Sequence, residues 1–245
     1  MKIAVIAGTS DATELIRIIS QEHQITAFTA TEYGREILQS CNCAVSVGRL
    51  DVTEFTEKLA DFALVIDASH PFAEEVTKTV KTVCESLDLT YLRLLRPTQV
   101  FHSEMIHAVD SKEEACKILS GMPGNILFTT GVKTLAFYEE HIPDFAVRGF
   151  ARILDTEDSR KIAESSCANL IYALPPFTEQ DLSDIIRCYQ ISIIVSKDSG
   201  TRGGVDQKIR IAEKFRIPLI LIRKPEESGM QIQEILNYMK EPWED

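Results

Sequence analysis

The sequence has no long apolar run, no C-x-x-C pair of cysteines and no excess of positive charge. No hydrophobic stretch approaches the roughly 20 residues of a membrane-spanning helix, so we expect no membrane association. The six cysteines show no zinc-ligand spacing, and we expect reduced, mostly buried thiols and no metal site. The net charge of −11 argues against nucleic acid or an anionic membrane as a partner. An anionic substrate would therefore need a local basic patch.

The chain starts directly on a strand pattern, Met1–Val5, which leaves no room for a signal peptide. Together with the cysteine usage, this pattern predicts a soluble cytoplasmic protein. The 245 residues are enough for one large domain or two small ones, each with a sizeable core. We expect a monomer or a small homo-oligomer.

Strand-like runs alternate with amphipathic helical patterns along the whole chain. In the first half the predicted strands are Lys2–Ala7, Gln24–Ala30, Ala44–Val47, the run from Leu64, and Thr90–Leu95. In the second half they are Ile106–Val109, Ile126–Thr130, Phe145–Val147, Leu170–Leu174, Ile191–Ser196 and Leu219–Ile222. Such alternation predicts an α/β fold with doubly wound parallel sheets. We expect two domains, residues 1–97 and 98–245, that face a central cleft, with the last helix, Met230–Met239, able to pack on either one.

The stretch Leu64–Ala73 carries polar side chains directly after an apolar strand, at Asp67, Ser69 and His70. Pro71 favours a helix start, because proline fits the first helical position. These side chains then lie at the carboxyl edge of a strand and beside the positive end of a helix, where open α/β sheets bind ligands. In the simpler interpretation, Asp67 caps the turn and Ser69 or His70 caps the helix.

The first strand ends in Gly8-Thr9-Ser10-Asp11, a turn that is suited to a dinucleotide pyrophosphate. Only one of the three glycines of G-x-G-x-x-G is present, so a helix capped by Ser10 or Asp11 is an equal alternative. At the end of the second strand, Glu32 suits the ribose hydroxyl of NADH, whereas Thr31 with Arg35 suits the 2′-phosphate of NADPH.

In the second half, two turns at strand ends carry unusual residues. Thr129-Thr130-Gly131 is a small-residue turn, and the segment Ser196–Gly204 presents Lys197 and Arg202 on a glycine-rich loop, with Lys208 in the helix beyond. No Lys-Ser/Thr follows the glycines, so the loop is not a P-loop. Further basic residues are expected at or near strand ends, namely Lys133, Arg148, Arg152, Arg223 and Lys224. Each alone is typical of a solvated surface, but together, in an acidic protein, they favour a pocket for several carboxylates.

Segments along the whole length resemble the precorrin-6A and cobalt-precorrin-6A reductases of corrinoid (vitamin B12) biosynthesis. The matching segments are 7–12, Gly48-Arg49, 66–73, 93–97, 129–131, 196–200, 217–218 and 223–225, of which Asp-Ala-Ser-His-Pro-Phe-Ala is the most specific. Ser69 stands where many members have threonine, and Asp198 stands where others often have asparagine. The loop also has Gly-Thr-Arg-Gly-Gly in place of a simpler glycine pair.

The resemblance implies two Rossmann-like domains, with NADH or NADPH on the first and a tetrapyrrole polycarboxylate as substrate. A hydride would reduce one ring-linking double bond of (cobalt-)precorrin-6A to give (cobalt-)precorrin-6B. The resemblance assigns to the cofactor Gly8, Thr9, Ser10, Gly48, Arg49, Ser69 and His70. Thr31 and Asp67 are added as cofactor-binding candidates because they lie at strand ends. It assigns to the substrate Thr130, Gly131, Lys197, Ser199, Gly200, Arg202 and Lys208. His70 and Lys197 are the candidate catalytic proton donors, alongside solvent and the nitrogens of the substrate.

Two other functions are compatible with the pattern. One is a different NAD(P)-dependent oxidoreductase for a small metabolite, which would have a compact apolar pocket with one or two basic residues. The other is a non-catalytic nucleotide sensor. The basic segment from Lys197 to Lys208 argues against the sensor, because a sensor does not need a second basic edge.

Overall fold

The computed structural model describes residues 1–96, 101–200 and 203–240. The chain forms two compact units, one comprising Met1–Pro97 and Glu226–Asp245 and the other comprising Thr98–Pro225. The chain thus leaves the first unit, builds the second, and returns to the first. Among the described residues, no helix combines the length and apolarity needed to cross a bilayer.

The first unit is an α/β unit around a parallel sheet, and it confirms the five strands predicted in the first half. Its elements are β1 (Lys2–Ile6), α1 (Ser10–Ile19), β2 (Gln24–Thr29), α2 (Glu32–Leu38), β3 (Ala44–Val47), α3 (Val52–Leu59), β4 (Leu64–Asp67), α4 (Glu74–Ser86) and β5 (Thr90–Arg93). After the second unit, α11 (Ile232–Tyr238) completes it.

The second unit is also built around a parallel sheet. Its elements are β6 (Ile106–Val109), α5 (Lys112–Ser120), β7 (Asn125–Phe128), a 3-10 turn (Val132–Thr134), α6 (Leu135–His141), α7 (Phe145–Arg148), β8 (Gly149–Leu154), α8 (Glu157–Ala163), β9 (Asn169–Ala173), α9 (Glu179–Cys188), β10 (Ile191–Lys197), α10 (Val205–Phe215) and β11 (Leu219–Ile222). The predicted fold class, α/β with two parallel sheets, is confirmed.

The first sheet is covered by helices on both faces, and its two central strands carry unbroken apolar runs, Ile3–Ile6 in β1 and Leu64–Ile66 in β4. On β1, Ile3 and Val5 join a core with α1, α11 and part of α2, while Ala4 and Ile6 join a second core with α3 and α4. Neighbouring strand residues point to opposite faces, so one apolar run supplies both cores. The helix α11 contributes the fully buried Ile235, which makes it an integral part of this unit.

Each sheet contains one point at which the chain reverses its direction across the sheet. The first has the order β3-β2-β1-β4-β5, so this switch point lies between β1 and β4. The second has the order β6-β11-β10-β7-β8-β9, so it lies between β7 and β10. Ligands of open α/β sheets bind at the carboxyl ends of the strands that flank such a point. The topology therefore selects two pairs of turns, one in each unit.

One predicted strand is wrong, because Phe145–Val147 lies in the short helix α7. Asp144, in a left-handed conformation with φ 57°, starts this turn, and its carbonyl accepts the N–H groups of Val147 and Arg148. Val147 is 76 % exposed, whereas a residue in a central strand would be buried. The strand follows immediately as β8, in which buried positions alternate with half-buried or exposed ones.

The six cysteines are free thiols. Cys41, Cys84 and Cys116 are buried, whereas Cys167 and Cys188 are exposed. The expectation of mostly buried thiols therefore holds for only part of the set.

Candidate functional site

The turns after β1 and β4 lie side by side at the carboxyl edge of the first sheet. The two strands pair in parallel, with Ile6 beside Asp67. Thr9 Oγ1 donates a hydrogen bond to the carbonyl oxygen of Ala68 at 3.0 Å, which joins the two turns directly. The two segments that the sequence analysis assigned separately to a cofactor are thus neighbours at the switch point.

Thr9 caps α1, so the expectation that Ser10 or Asp11 would cap it is wrong. Thr9 has extended backbone, and its Oγ1 accepts the N–H of Ala12 at 3.0 Å. Because the same hydroxyl also donates to Ala68, its donor and one acceptor position are engaged within the protein. A ligand anion at this turn would therefore accept hydrogen bonds from the first-turn N–H groups of α1, which have no partners inside the helix.

The first turn of α1 also contains a buried ion pair that the sequence analysis missed. The carboxylate of Asp11, 7 % exposed, lies 2.9 Å from Nε of Arg96. An unpaired carboxylate here would repel an anion at the helix N-terminus, and the guanidinium offsets that charge. Arg96 thereby makes this turn compatible with a phosphate.

The backbone around Gly8 leaves space for a ligand. A Cβ added at Gly8 would have no protein atom within 4 Å, so the turn is open on that side. Gly48, after β3, has φ +146° and donates its N–H to Thr29 O at 2.9 Å. Arg49 is exposed and forms no ion pair with the rest of the described chain. A turn without side-chain obstruction that leads into a helix N-terminus at a switch point is suited to binding the diphosphate of a dinucleotide.

The residues at the end of β2 that favour opposite cofactors contact each other. Thr31 caps α2 by accepting the N–H of Gly34 at 3.1 Å. Glu32 and Arg35 form an exposed ion pair with an N–O distance of 3.2 Å. The group that suits a ribose hydroxyl and the group that suits a 2′-phosphate therefore lie on one helical turn.

Asp67 is fully buried, and its carboxylate is satisfied within the protein. Oδ1 lies 2.9 Å from Arg93 Nη1 and accepts the Ser69 N–H at 3.0 Å. Oδ2 accepts hydrogen bonds from Thr77 Oγ1 at 2.7 Å and Tyr91 Oη at 3.0 Å. Burial and the neighbouring carboxylate raise the pKa of the Tyr91 phenol, which keeps it a donor. A direct contact of Asp67 with a cofactor does not fit this geometry, and its role is to hold the turn.

The expectation that Ser69 or His70 caps a helix starting at Pro71 is wrong. The helix α4 begins three residues later, at Glu74, and Ala73 precedes it without a side-chain cap. The Ala73 N–H donates to the carbonyl of His70 at 2.7 Å, so a separate turn comes first. Residues 68–73 therefore form a loop, which we call the β4 loop, at the ligand edge of the sheet.

His70 has a defined orientation within the β4 loop. Its Nδ1 accepts the Phe72 N–H at 3.3 Å, and the two rings are 5.8 Å apart. An accepting Nδ1 carries no proton, so neutral His70 holds its proton on Nε2. The ring is half-buried. His70 is thus held as a donor at the switch point of the first sheet.

The two unusual turns of the second unit are also neighbours, because β7 and β10 pair in parallel up to Phe128 and Val195. In the first turn, Thr130 is buried with its Oγ1 2.8 Å from Thr134 Oγ1, and Gly131 has φ +91° with open space at its Cβ position. In the second, Gly200 has φ +69° with the same open space. The structure therefore places both predicted substrate turns at the switch point.

The described residues after β10, which include Asp198–Gly200 and Gly203, hydrogen-bond to one another. Asp198 Oδ1 accepts the Gly200 N–H at 3.1 Å, and Ser199 Oγ donates to Gly203 O at 3.2 Å. Lys197 ends the strand and is half-buried. Arg202, which was also predicted to bind substrate, lies outside the described residues.

Lys208, which the resemblance assigned to the substrate, and Arg152, one of the basic residues expected near a strand end, form a basic pair. Lys208 lies in the first turn of α10 and is 7 % exposed. Burial, and next the charge of Arg152, lower the pKa of its ammonium to about 7. Burial lowers the pKa of Arg152 to about 10, and its guanidinium lies 4.0 Å from the centre of the Phe177 ring. The carboxylate of Asp181 attracts Arg152, but neither cation forms an ion pair with a described residue, so a bound anion would stabilise both.

Two of the other basic residues are engaged by groups of the protein itself. Arg148 donates to the carbonyls of Met122 and Gly124, which precede β7, so it lies at the amino edge of the sheet. This corrects the expectation that Arg148 belongs to the ligand edge. Arg223 is paired with Asp110 at 2.6 Å in an exposed ion pair.

Comparisons with known proteins agree with this architecture. Residues 2–240 match the model of the family described as precorrin-6x reductase CbiJ/CobK. The cobalt-precorrin-6A reductase of Priestia megaterium is 31 % identical over 230 residues, which cover 91 % of this chain and 90 % of that protein. The cobalt-precorrin-6A reductase of Salmonella typhimurium is 28 % identical, with 91 % and 87 % covered. A solved structure of the CobK precorrin-6A reductase superposes with a TM-score of 0.72 at 19 % identity, covering 98 % of this chain and 96 % of that one.

Proposed function

Because the chain belongs to the precorrin-6x reductase family and is therefore an oxidoreductase of cobalamin biosynthesis, we propose that it reduces cobalt-precorrin-6A to cobalt-precorrin-6B with NADH or NADPH. The observation that carries this proposal is the basic pair of Lys208 and Arg152, in which Lys208 is buried without an acidic partner among the described residues, in a chain of net charge −11. A macrocycle with several carboxylate arms supplies the missing anions.

The first unit is proposed to bind the cofactor at the turns after β1 and β4. When bound, the nicotinamide supplies a hydride, and the second hydrogen arrives at the macrocycle as a proton. Gly8 and the first turn of α1 would receive the diphosphate, with Arg96 offsetting the charge of Asp11. The β4 loop would orient the cofactor through the Nε2 proton of His70. The protein thus contributes position and electrostatics.

The second unit is proposed to bind the macrocycle through its carboxylates. Lys208 and Arg152 would hold one carboxylate, with the open glycine turns at Gly131 and Gly200 allowing close approach of the ligand. Lys197, at the same strand edge, is the second candidate proton donor beside His70. A proton donor must lie within hydrogen-bond reach of the reacting carbon, so variants of these two residues distinguish the candidates.

The most direct test is anaerobic mixing of the protein with the oxidised macrocycle and each nicotinamide cofactor. We expect the absorption spectrum of the macrocycle to change to that of the reduced product, together with loss of the 340 nm absorbance in equal amount. Cofactor binding without any turnover would favour a nucleotide sensor. Turnover of a small metabolite instead would favour the other class of oxidoreductase.

Replacement of His70 by alanine is expected to lower turnover or cofactor affinity at least about tenfold, which is roughly 1.4 kcal/mol. The reason is the loss of a donor whose orientation the Phe72 N–H fixes. The measurement is steady-state kinetics with both substrates varied, and exposed His141→Ala is the matched control. Unchanged kinetics in a folded variant would leave His70 with a role in loop structure alone.

The exposed pair of Glu32 and Arg35 is expected to set the preference between cofactors. Glu32→Gln removes the carboxylate that repels a 2′-phosphate, and it should shift the ratio of kcat/KM toward NADPH by about tenfold. Arg35→Gln should shift the ratio the opposite way. The two variants are matched because each removes one partner of a single ion pair. Equal ratios of kcat/KM for the two cofactors in both variants would show that the ribose binds away from this ion pair.

A further inference from the structure

Arg93, the last residue of β5, is buried beneath the β4 loop, and its side chain is 4 % exposed. One nitrogen, Nη1, contacts four acceptors. They are Asp67 Oδ1 at 2.9 Å, Asp67 O at 3.2 Å, Ser69 O at 3.2 Å and Ser69 Oγ at 3.1 Å. Side chain and backbone of the strand end and of the loop thus converge on one guanidinium.

The backbone of the β4 loop depends on these contacts. The carbonyls of Asp67 and Ser69 point toward Arg93, and a buried carbonyl without a donor is costly. The helix that follows the loop has no side-chain cap at Ala73, so that end of the loop lacks a common form of anchor. Arg93 is therefore the group that fixes the direction of the loop as it leaves the sheet.

The other side of the guanidinium is held by Glu227, from the segment that returns to the first unit. Glu227 Oε1 accepts from Arg93 Nε at 3.1 Å and lies 2.9 Å from Nη2. The returning segment is itself paired with β5, since Met230 N donates to Arg93 O and Leu95 N donates to Met230 O, both at 2.8 Å. Next to it, a Cβ on Gly229 would lie 2.4 Å from Arg93 O, so only glycine permits this approach.

We propose that Arg93 is the positioning residue for the β4 loop and hence for His70, and that Glu227 orients Arg93 by holding the opposite side of its guanidinium. The proposal rests on the proposed function only in that the β4 loop contacts the cofactor. Two carboxylates fix one planar cation from two sides, which defines its orientation more narrowly than a single ion pair does. Lysine has the charge but lacks the fork, so it cannot replace this arrangement.

The test uses the full-length variants Arg93→Lys and Glu227→Gln, with Arg210→Met as the control because Arg210 forms an exposed ion pair with Glu179. Hydrogen exchange without cofactor is the first measurement. We expect amides of residues 68–73 to exchange about tenfold faster in both variants, with β1 and β4 unchanged. Unchanged exchange in the loop, or faster exchange throughout the sheet, would overturn the proposal.

The second measurement separates positioning from general stability. Cofactor KM is expected to rise about fivefold or more in both variants, while the KM for the macrocycle stays within twofold. An equal rise in both KM values would contradict a local role. If the wild-type protein bound neither nicotinamide cofactor, the proposed function would fail, whereas the hydrogen exchange result would still decide the role of Arg93.

Discussion

Replacement of Lys208 by methionine is expected to raise the KM for the macrocycle by about 100-fold, close to 3 kcal/mol, and at the same time to stabilise the fold. Lys208 is 7 % exposed and faces the charge of Arg152 without an acidic partner among the described residues. A buried cation of this kind destabilises the free protein and favours a bound anion. Methionine keeps the length of the side chain but has no charge, so it removes both the destabilisation of the free protein and the attraction for the anion.

The dependence of stability on pH gives this prediction a definite sign. The pKa of Lys208 falls from 10.5 to about 7 in the folded state because of burial and the neighbouring guanidinium. Between these pH values the unfolded chain binds more protons, so the contribution of Lys208 makes stability rise as pH rises. The gain in Tm of Lys208→Met over the wild type should therefore be largest below pH 7, about 3 °C or more, and vanish near pH 10.

Substrate affinity should show the opposite trend. Only the ammonium form binds a carboxylate, so the macrocycle KM of the wild type should rise with pH above about 7. Thermal melts and kinetics over pH 6 to 10 measure both trends in one set of samples. The control is Lys214→Met, an exposed lysine on the same helix. A destabilised Lys208→Met variant with unchanged KM would show that Lys208 supports packing only.

Replacement of Asp67 by alanine is expected to cost about 3–5 kcal/mol of stability, the range found when one partner of a buried ion pair is removed. The change leaves Arg93 without its fully buried partner and deprives the Ser69 N–H, Thr77 and Tyr91 of their acceptor. A thermal melt should show a fall in Tm of about 10 °C.

The comparison for Asp67 is Asp155→Ala, because Asp155 forms an ion pair with Arg160 in which both side chains are well exposed. Such a surface pair contributes less than about 1 kcal/mol. The loss of stability of Asp67→Asn, which keeps one oxygen acceptor, should lie between the losses of the two alanine variants. A loss for Asp67→Ala no larger than that for Asp155→Ala would show that the network around Asp67 is weak.

The architecture was readable from the sequence because it depends on local apolar patterns. A parallel strand buried on both faces is an uninterrupted apolar run, and each run between helical patterns became a strand within a few residues, apart from Phe145–Val147. That segment is apolar enough for a strand, but the left-handed Asp144 starts a helical turn. A single left-handed residue of this kind is not encoded in the apolar pattern of the segment.

The residues that hold the site were harder to find because they are far apart in sequence. Arg93 meets Asp67 from 26 residues away and Glu227 from 134 residues away. No periodicity reports such pairs. By contrast, Lys208 did carry a local signal, since it lies on the same helical stripe as the buried Val205, Ile209 and Ala212. A lysine within an apolar stripe indicates a buried charge.

The return of the chain to the first unit has a consequence for biosynthesis. The ribosome completes the whole of Thr98–Pro225 before it makes α11, whose Ile235 belongs to the core around β1. A nascent first unit therefore exposes that part of its core until translation is nearly finished, and stopping synthesis at residue 97 would leave it exposed permanently. An isolated first unit has to be made by splicing residue 97 to residue 226 through a short linker.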